Sequence, residues 1–489
     1  MLNLKNWFGK LDLTLVLGIA LFIYVTLRAV FVPITDDEYI SLHFHVSENW
    51  WTILTTGLPN QGWAGNNHIL NSLFMKMEMH LFGQRDWALR LHSLAAFAVC
   101  YGFVREIIKE VTPSVSRQFF YLIAFFLNPY LLDFFSLACG YGLSIAAWSA
   151  AFYFFIKYTQ GQKAPDLWRV LLALFLAIWS NFSAIYLAFL FGLLFLIEFY
   201  QHRRSGFIRK HFVYLTVGSL FIGIVNSVPF YRSFKNSDIY GGNTGLFQDV
   251  VVTSIERFVR SNQQIDRFGF LVSNWTILDV AALTLLILWL ALQVLNFTYK
   301  TNRPILQKIS NVALFQTIGI ALLAKLLFVL FKAPYPMGRT ALLFSLPFLL
   351  SAAAAFENIQ SRFRRANFVF IALIPFLIWH FYQCFSLEDS REWWQAGDAK
   401  KVLSFLKNDL KIGEQGKKLS LGAEGYQYHP LAFYNEAQHS EDILTIKFSD
   451  MKTDQNDDFF LAPSFRTGEV WSTYKPIQTF KHSVLFQKK

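Results

Sequence analysis

Charged side chains are scarce. Asp, Glu, Lys and Arg make up only 16% of the 489 residues, against about a quarter in a soluble domain. A chain this poor in charge cannot furnish a water-facing surface for its size unless much of that surface faces lipid, which argues against an ordinary soluble enzyme. Cysteine is scarcer still. Cys100, Cys139 and Cys384 lie in or beside apolar runs without Cys-x-x-Cys spacing, so neither a disulfide framework nor a cysteine zinc site is indicated. What abounds is apolar: 54% of residues are hydrophobic and 18% aromatic, with a mean hydropathy of +0.34. This is the composition of a protein that crosses a membrane many times.

Apolar stretches long enough to cross a hydrocarbon core of about 30 Å, roughly 20 helical residues, recur along most of the chain. About eleven can be read on that length criterion, near 11–32, 87–104, 118–135, 141–156, 168–180, 183–200, 211–230, 276–297, 309–331, 340–356 and 367–384. The fifth and sixth are short and join at Ser180-Asn181-Phe182, so they read as a hairpin or a pair of partial spans. The first is too long, and too poor in a small-residue cleavage site, for a removed signal peptide and is kept as a span. A formal charge of +11 would suggest nucleic acid in a soluble protein. Here, however, Lys and Arg gather at one set of span ends, among them Lys5, Lys10, Arg105, Arg117, Lys157, Arg169, Arg209, Lys308 and Arg362. The short loops opposite hold only Lys332 and Arg339. Positive-inside sorting then accounts for most of the excess, places the N-terminus in the cytoplasm, supports an odd number of spans and leaves nucleic acid without a role.

The same topology leaves three long segments together on the far side: 33–86, 231–274 and the tail. The expected division is a membrane module over 1–384 and a soluble domain over 385–489. In the first segment Tyr39, Leu42, Val46, Trp50, Ile53 and Leu54 share one helical face, a Gly/Asn/Pro break covers 57–67, and Ile69, Leu70, Leu73, Phe74, Met77 and Leu81 share another. Such helices are expected to lie along the membrane surface. The second holds Gly241-Gly242-Asn243-Thr244-Gly245, a turn rather than a phosphate loop, and a stretch with Arg257, Arg260 and Arg267 among apolar residues. That stretch reads either as a solvated charged face or as a surface for anionic headgroups. The tail changes to charges, glycines and short alternating runs such as Leu419-Ser420-Leu421 and Val484-Leu485-Phe486, so it reads as a small α/β or α+β domain. The fold class is thus an all-α polytopic membrane protein with surface helices and a small mixed C-terminal domain.

Three consecutive carboxylates, Asp36, Asp37 and Glu38, stand where the first span ends. Like charges this close raise at least one pKa and make a candidate general base. The plainer alternative is that Thr35 or Asp36 caps a surface helix and the acids favour its positive end. Spacing alone leaves both open. Metal chelation is not expected from His43 and His45, because an i, i+2 pair points to different helix faces.

Further polar concentrations follow: Asn66-Asn67-His68-Ile69-Leu70-Asn71, then Leu81-Phe82-Gly83, then Leu89-Arg90-Leu91-His92-Ser93 entering the second span. This order, after an Asp-Glu pair, resembles the first periplasmic loop of the GT-C glycosyltransferases, in particular the bacterial relatives of protein O-mannosyltransferases and of the aminoarabinose transferase acting on lipid A. Asn128-Pro129, Gly140-Tyr141-Gly142-Leu143-Ser144, Pro334-Tyr335-Pro336-Met337-Gly338-Arg339 and Glu392-Trp393 extend the similarity over about the first 400 residues. Many relatives carry arginine where this chain has Cys139, which puts one phosphate or glycan contact in doubt. The Trp-Trp-Asp signature of oligosaccharyltransferases is met only by Trp393-Trp394-Gln395.

The resemblance implies a sugar donor on a polyprenyl phosphate, a bundle of transmembrane helices, and catalysis by the acidic pair. Asp37 is then the expected base that takes the acceptor's proton, with Glu38 holding or orienting the acceptor and Asp36 the competing base. Arg339 is the expected phosphate clamp, being isolated on a far-side loop, although a snorkelling arginine would look the same. His68, Asn67, Tyr335, Tyr141 and Arg90 are candidates for the donor phosphate or sugar. Arg90 has a structural alternative, pairing with a carboxylate or carbonyls inside the bundle. No metal or cofactor is required on this reading. The expected protein is an inverting transferase on the outer face of a bacterial cytoplasmic membrane, serving a glycan, lipid or protein acceptor. A transporter or flippase of a lipid-linked or anionic solute is the alternative, and would favour ionisable residues within spans, such as Lys325 and Asp133.

Overall fold

The computed structural model describes residues 12–57, 67–203, 207–236, 240–259, 275–299, 301–360, 368–415, 417–449, 456–470 and 473–489. Lys5, Lys10, Asn66, Arg260, Arg267 and Arg362 lie outside the described residues.

Helices follow the apolar runs. Helix α1 (Leu13–Phe31) starts where the Asp12 carboxylate accepts from the amides of Thr14 and Leu15. The first far-side segment then forms α2 (Asp36–Ile40), a π-helical turn over Ser41–Val46, α3 (Trp50–Thr55) and α4 (Ile69–Phe82). The bundle continues through α5 (Leu91–Val111), α6 (Val115–Phe126), α7 (Pro129–Ser136), α8 (Tyr141–Gly161), α9 (Ala164–Ser180), α10 (Ile185–Gln201) and α11 (Phe207–Asn236). The short α12 (Thr253–Val259) precedes α13 (Trp275–Thr298), α14 (Pro304–Phe331), α15 (Leu342–Gln360) and α16 (Phe368–Cys384). Among the described residues, seven helices are long and apolar enough to cross a membrane alone, those containing α1, α5, α10, α11, α13, α14 and α15.

One expectation needs adjustment and another is met. The run 118–135 is not one straight span: α6 and α7 meet at a 71° bend, because Asn128 caps a new helix whose first residue is Pro129, and a proline there cannot continue the preceding hydrogen-bond ladder. The block 168–200 is two helices, α9 and α10, separated by Asn181, whose side chain accepts from the Ser183 amide. The two short surface helices of the first segment are likewise separate pieces, with Asn49 capping α3 through the Thr52 amide.

The tail folds as α17 (Ala399–Ser404), β1 (Leu419–Ala423), α18 (Tyr428–Ala437), β2 (Leu444–Phe448), β3 (Phe459–Pro463), β4 (Tyr474–Thr479) and β5 (Ser483–Lys488). Its sheet has the order β2-β1-β3-β5-β4, with β1 parallel to β2 and β3 and the remaining pairs antiparallel. Both alternating runs noted in the sequence are strands of this sheet. The protein is a polytopic helical membrane protein with a small mixed-sheet C-terminal domain.

Buried ionic links join the two parts. Arg28 of α1 bonds Asp133 of α7 at 2.5 Å and donates to the carbonyls of Ser386 and Asp389 in the tail. Asp133 also accepts from the Arg391 amide at 2.5 Å, so both of its oxygens are engaged structurally. Breaking such a pair leaves an uncompensated buried charge, a cost of about 3–5 kcal/mol. Tyr434 of α18 accepts from the Ile34 amide and donates to Asp86, both at 2.7 Å. Lys400 reaches Asp86 at 2.6 Å. These contacts hold the C-terminal domain against the segment that carries the three carboxylates.

Candidate active site

Local chemistry sorts the three carboxylates into different tasks. Thr35 caps α2 in a reciprocal box with Glu38: the Glu38 amide donates to the Thr35 hydroxyl, and the Thr35 amide donates to the Glu38 carboxylate at 2.9 Å. Glu38 also receives two bonds of 2.7 Å from Arg90 and one of 2.7 Å from the Ala138 amide. Arg90 spends its other donors on the carbonyls of Ala29, Val32 and Pro33. Both side chains are fully buried. Burial would raise the Glu38 pKa, but the Arg90 charge and the donated bonds outweigh it and hold the carboxyl below its ordinary value. This is the structural alternative read for Arg90, pairing with a carboxylate and carbonyls, rather than a ligand-binding part, and it engages the Glu38 oxygens expected to hold the acceptor. Their polar atoms are consumed in fixing the start of α2 to the second span.

Asp37 is turned differently. One residue back along α2 from Glu38, and so about 100° away around the helix, its carboxylate meets Arg339 at 3.0 Å. Burial raises its pKa, the Arg339 charge opposes this, and the negative charges of Asp36, Glu392 and Glu38 reinforce it, leaving a value of about 6. Arg339 lies against the rings of Tyr240 and Trp393, 4.8 and 5.2 Å from their centroids. Its buried Nε has no hydrogen-bond partner among the described residues. A guanidinium held by two rings and one carboxylate keeps donor capacity for an anion.

His68 and Tyr141 adjoin this pair. Their rings meet edge to face at 5.1 Å. Burial and then the Arg339 charge push the His68 pKa down to about 4, against a bond to the Ser180 carbonyl, so the imidazole is neutral at pH 7. Gly140 makes this approach possible: at φ +75 it adopts a conformation that other residues resist, and a Cβ there would fall 2.4 Å from the Ser180 oxygen and 2.7 Å from the His68 Cβ. Arg339 and Tyr141 stand in the wall of a narrow pocket that continues along Ile145, Trp148, Leu187, Leu343 and Leu346. A polar head thus opens onto an apolar slot between helices.

The remaining candidates are placed elsewhere. The Asn67 amide donates to the Ile53 carbonyl and the Thr56 hydroxyl, and its oxygen accepts from Ser72, so it braces α3 against α4. Tyr335 stacks on Phe328 at 4.5 Å and bridges Gly242 through its backbone, outside the wall of this cavity. Asp36 bonds the Nδ1 of His429 from the C-terminal domain. Glu392, which acts on Asp37 through its charge, is held by Arg257 at 3.3 Å and Tyr130 at 3.0 Å. His429 and Tyr240 carry no sequence signal for these positions; Glu392 and Trp393 do, through the tail-entry similarity. Among the described residues no three His, Cys, Asp or Glu side chains gather to hold a metal.

Fold and site together define a polytopic membrane protein with a carboxylate–guanidinium pair at the head of a helix-lined slot. No family model and no curated protein matches the sequence. Among solved structures, the chain is similar to ArnT from Cupriavidus metallidurans in the apo state, at 12% identity and a TM-score of 0.42, over 96% of this chain and 97% of that one. It is also similar to ArnT from the same organism bound to undecaprenyl phosphate, at 11% identity and a TM-score of 0.40, over 99% and 98% of the respective chains.

Proposed function

We propose that this chain is a GT-C-type glycosyltransferase that moves one hexose or pentose from a polyprenyl phosphate to a lipid, polysaccharide or protein acceptor. The reaction takes place on the outer face of the cytoplasmic membrane, with the N-terminus inside and the C-terminal domain outside. The observation that carries this reading is the pairing of Asp37 with Arg339 at the mouth of the apolar slot. The prenyl chain occupies the slot and its phosphate competes with Asp37 for Arg339.

In the transfer step the acceptor oxygen attacks the anomeric carbon, the bond from that carbon to the phosphate oxygen breaks, and the acceptor proton passes to Asp37. A carboxyl with a pKa of about 6 is mostly ionised at pH 7 yet basic enough to take the proton. The negative charge that grows on the departing phosphate is met by Arg339, already oriented by its two flanking rings. Direct displacement inverts the anomeric centre. No metal is required, because the phosphate already leaves readily.

Native mass spectrometry of protein extracted gently from its own membrane tests the donor. A co-purifying polyprenyl phosphate, with or without a sugar, is expected. Repeated preparations holding only bulk phospholipid, with no binding of added polyprenyl phosphate, would overturn the reading.

A further inference from the structure

A second cavity lies at the seam between the first far-side segment and the C-terminal domain. It is a pocket open to solvent on one side, with room for a single small ring rather than a whole ligand. Its apolar wall comes from Tyr39, Leu42, Met79 and Phe433, and its polar groups are His43, Ser47, Gln84 and Glu436. The two halves of the molecule both contribute, since Glu436 and Phe433 belong to α18.

A continuous set of rings connects this cavity to the carboxylates. Tyr39 stacks on His43 at 5.3 Å and on His429 at 4.9 Å, and His429 bonds Asp36. Tyr39 donates to Glu436 at 3.4 Å. Tyr39 lines the cavity two residues beyond Asp37 and Ser47 ten residues beyond, so the cavity starts beside the reacting centre and extends away from it along the helix, by roughly 10–15 Å at Ser47. Its far end suits a more distant part of the same acceptor.

We infer that the seam cavity is a remote acceptor subsite that binds a sugar unit of a glycan chain whose growing end reaches Asp37. A sugar ring presents an apolar C–H face and a rim of hydroxyls. The wall of Tyr39, Met79 and Phe433 matches the face, and Glu436, Gln84 and Ser47 match the rim. A prenyl or acyl chain would offer no hydrogen bond to Ser47, Gln84 or Glu436. Binding energy from such a distant unit holds the reacting hydroxyl in place. The inference rests on the proposed transferase reading and names its acceptor as a saccharide.

The test uses the full-length protein in lipid nanodiscs and saturation-transfer NMR with di-, tri- and tetrasaccharides released from the source cell's envelope glycan. Polyprenyl phosphate binding is measured on the same samples. The expected result is saccharide binding that weakens at least tenfold in Glu436→Gln and in Ser47→Trp, which fills the cavity, while polyprenyl phosphate binding is unchanged. Saccharide binding that both variants leave intact overturns the assignment of the cavity. Polyprenyl phosphate binding without any saccharide binding, or displacement of the saccharides by a Ser/Thr-rich peptide at this cavity, overturns the glycan subsite and leaves the donor reading standing. Cavity-dependent saccharide binding without polyprenyl phosphate binding supports the subsite and sinks the donor reading instead.

Discussion

The Asp37 carboxylate lies 3.0 Å from the Arg339 guanidinium, so the helix after the first span and the loop entering α15 share one ion pair. The pairing makes each residue's chemistry depend on the other. With a pKa of about 6, Asp37 loses its proton as pH rises through that value. A base must be deprotonated, so kcat/KM is expected to rise between pH 5 and 7 and level off above. In Asp37→Asn the rate should fall by about 10²–10⁴ while polyprenyl phosphate remains bound. A radiolabelled transfer assay run across pH decides this, and undiminished transfer by the variant would remove Asp37 as the base.

Arg339→Gln separates charge from shape. The Arg339 charge lowers the Asp37 pKa against the rise caused by burial, so its removal should shift the acidic limb of the pH profile above 6. On the proposed reading the same variant loses the donor for phosphate, so it should bind polyprenyl phosphate at least tenfold more weakly, about 1.4 kcal/mol. Arg339→Lys keeps the charge but not the two-pronged geometry. It should leave the pH limb near 6 and still weaken binding. A limb that moves equally in both variants would mean that charge is not what tunes Asp37.

How much of this was readable in the sequence follows from what each feature depends on. Spans depend on composition over about 20 residues, and every apolar run is helical. The bend at Asn128-Pro129 also had a local signal, since proline after a capping residue starts a helix. Arg339 stood out because it is isolated on a far-side loop, and Asp37 because it belongs to an acidic cluster whose Asp-Glu pair resembles that of the GT-C glycosyltransferases. Glu38 and Asp37 are adjacent, however, and only the structure separates the carboxylate spent on Arg90 from the one facing Arg339. The bond from Asp36 to His429 joins residues 393 positions apart. No local pattern encodes it, because it is set by how the C-terminal domain docks.

Glu38→Gln should act on folding before it acts on chemistry. It leaves the buried Arg90 with only carbonyl partners, at a cost of about 3–5 kcal/mol. The Glu38 pKa is held below its ordinary value of 4.5, so the stability it confers is complete above that value and is lost as pH falls through the lower folded-state value. Thermal unfolding in detergent should therefore show a large loss at pH 7 that narrows under acid. The double variant Glu38→Gln with Arg90→Met should be less damaged than Glu38→Gln alone, because it removes the stranded charge. Additive losses would exclude direct coupling.

Tyr434→Phe tests whether the C-terminal domain positions α2. The Tyr434 hydroxyl accepts from the Ile34 amide and donates to Asp86. Asp86 keeps Lys400 in the variant, whereas the buried Ile34 amide is stranded, at about 1–3 kcal/mol. Hydrogen exchange should quicken at Ile34 and through Thr35 to Glu38, while the strands β1 and β3 keep their protection. Transfer should slow in step, because the same backbone aims Asp37 at Arg339. If Ile34 stays protected and transfer slows regardless, the hydroxyl acts on the reaction by another route and the domain does not set the angle of α2.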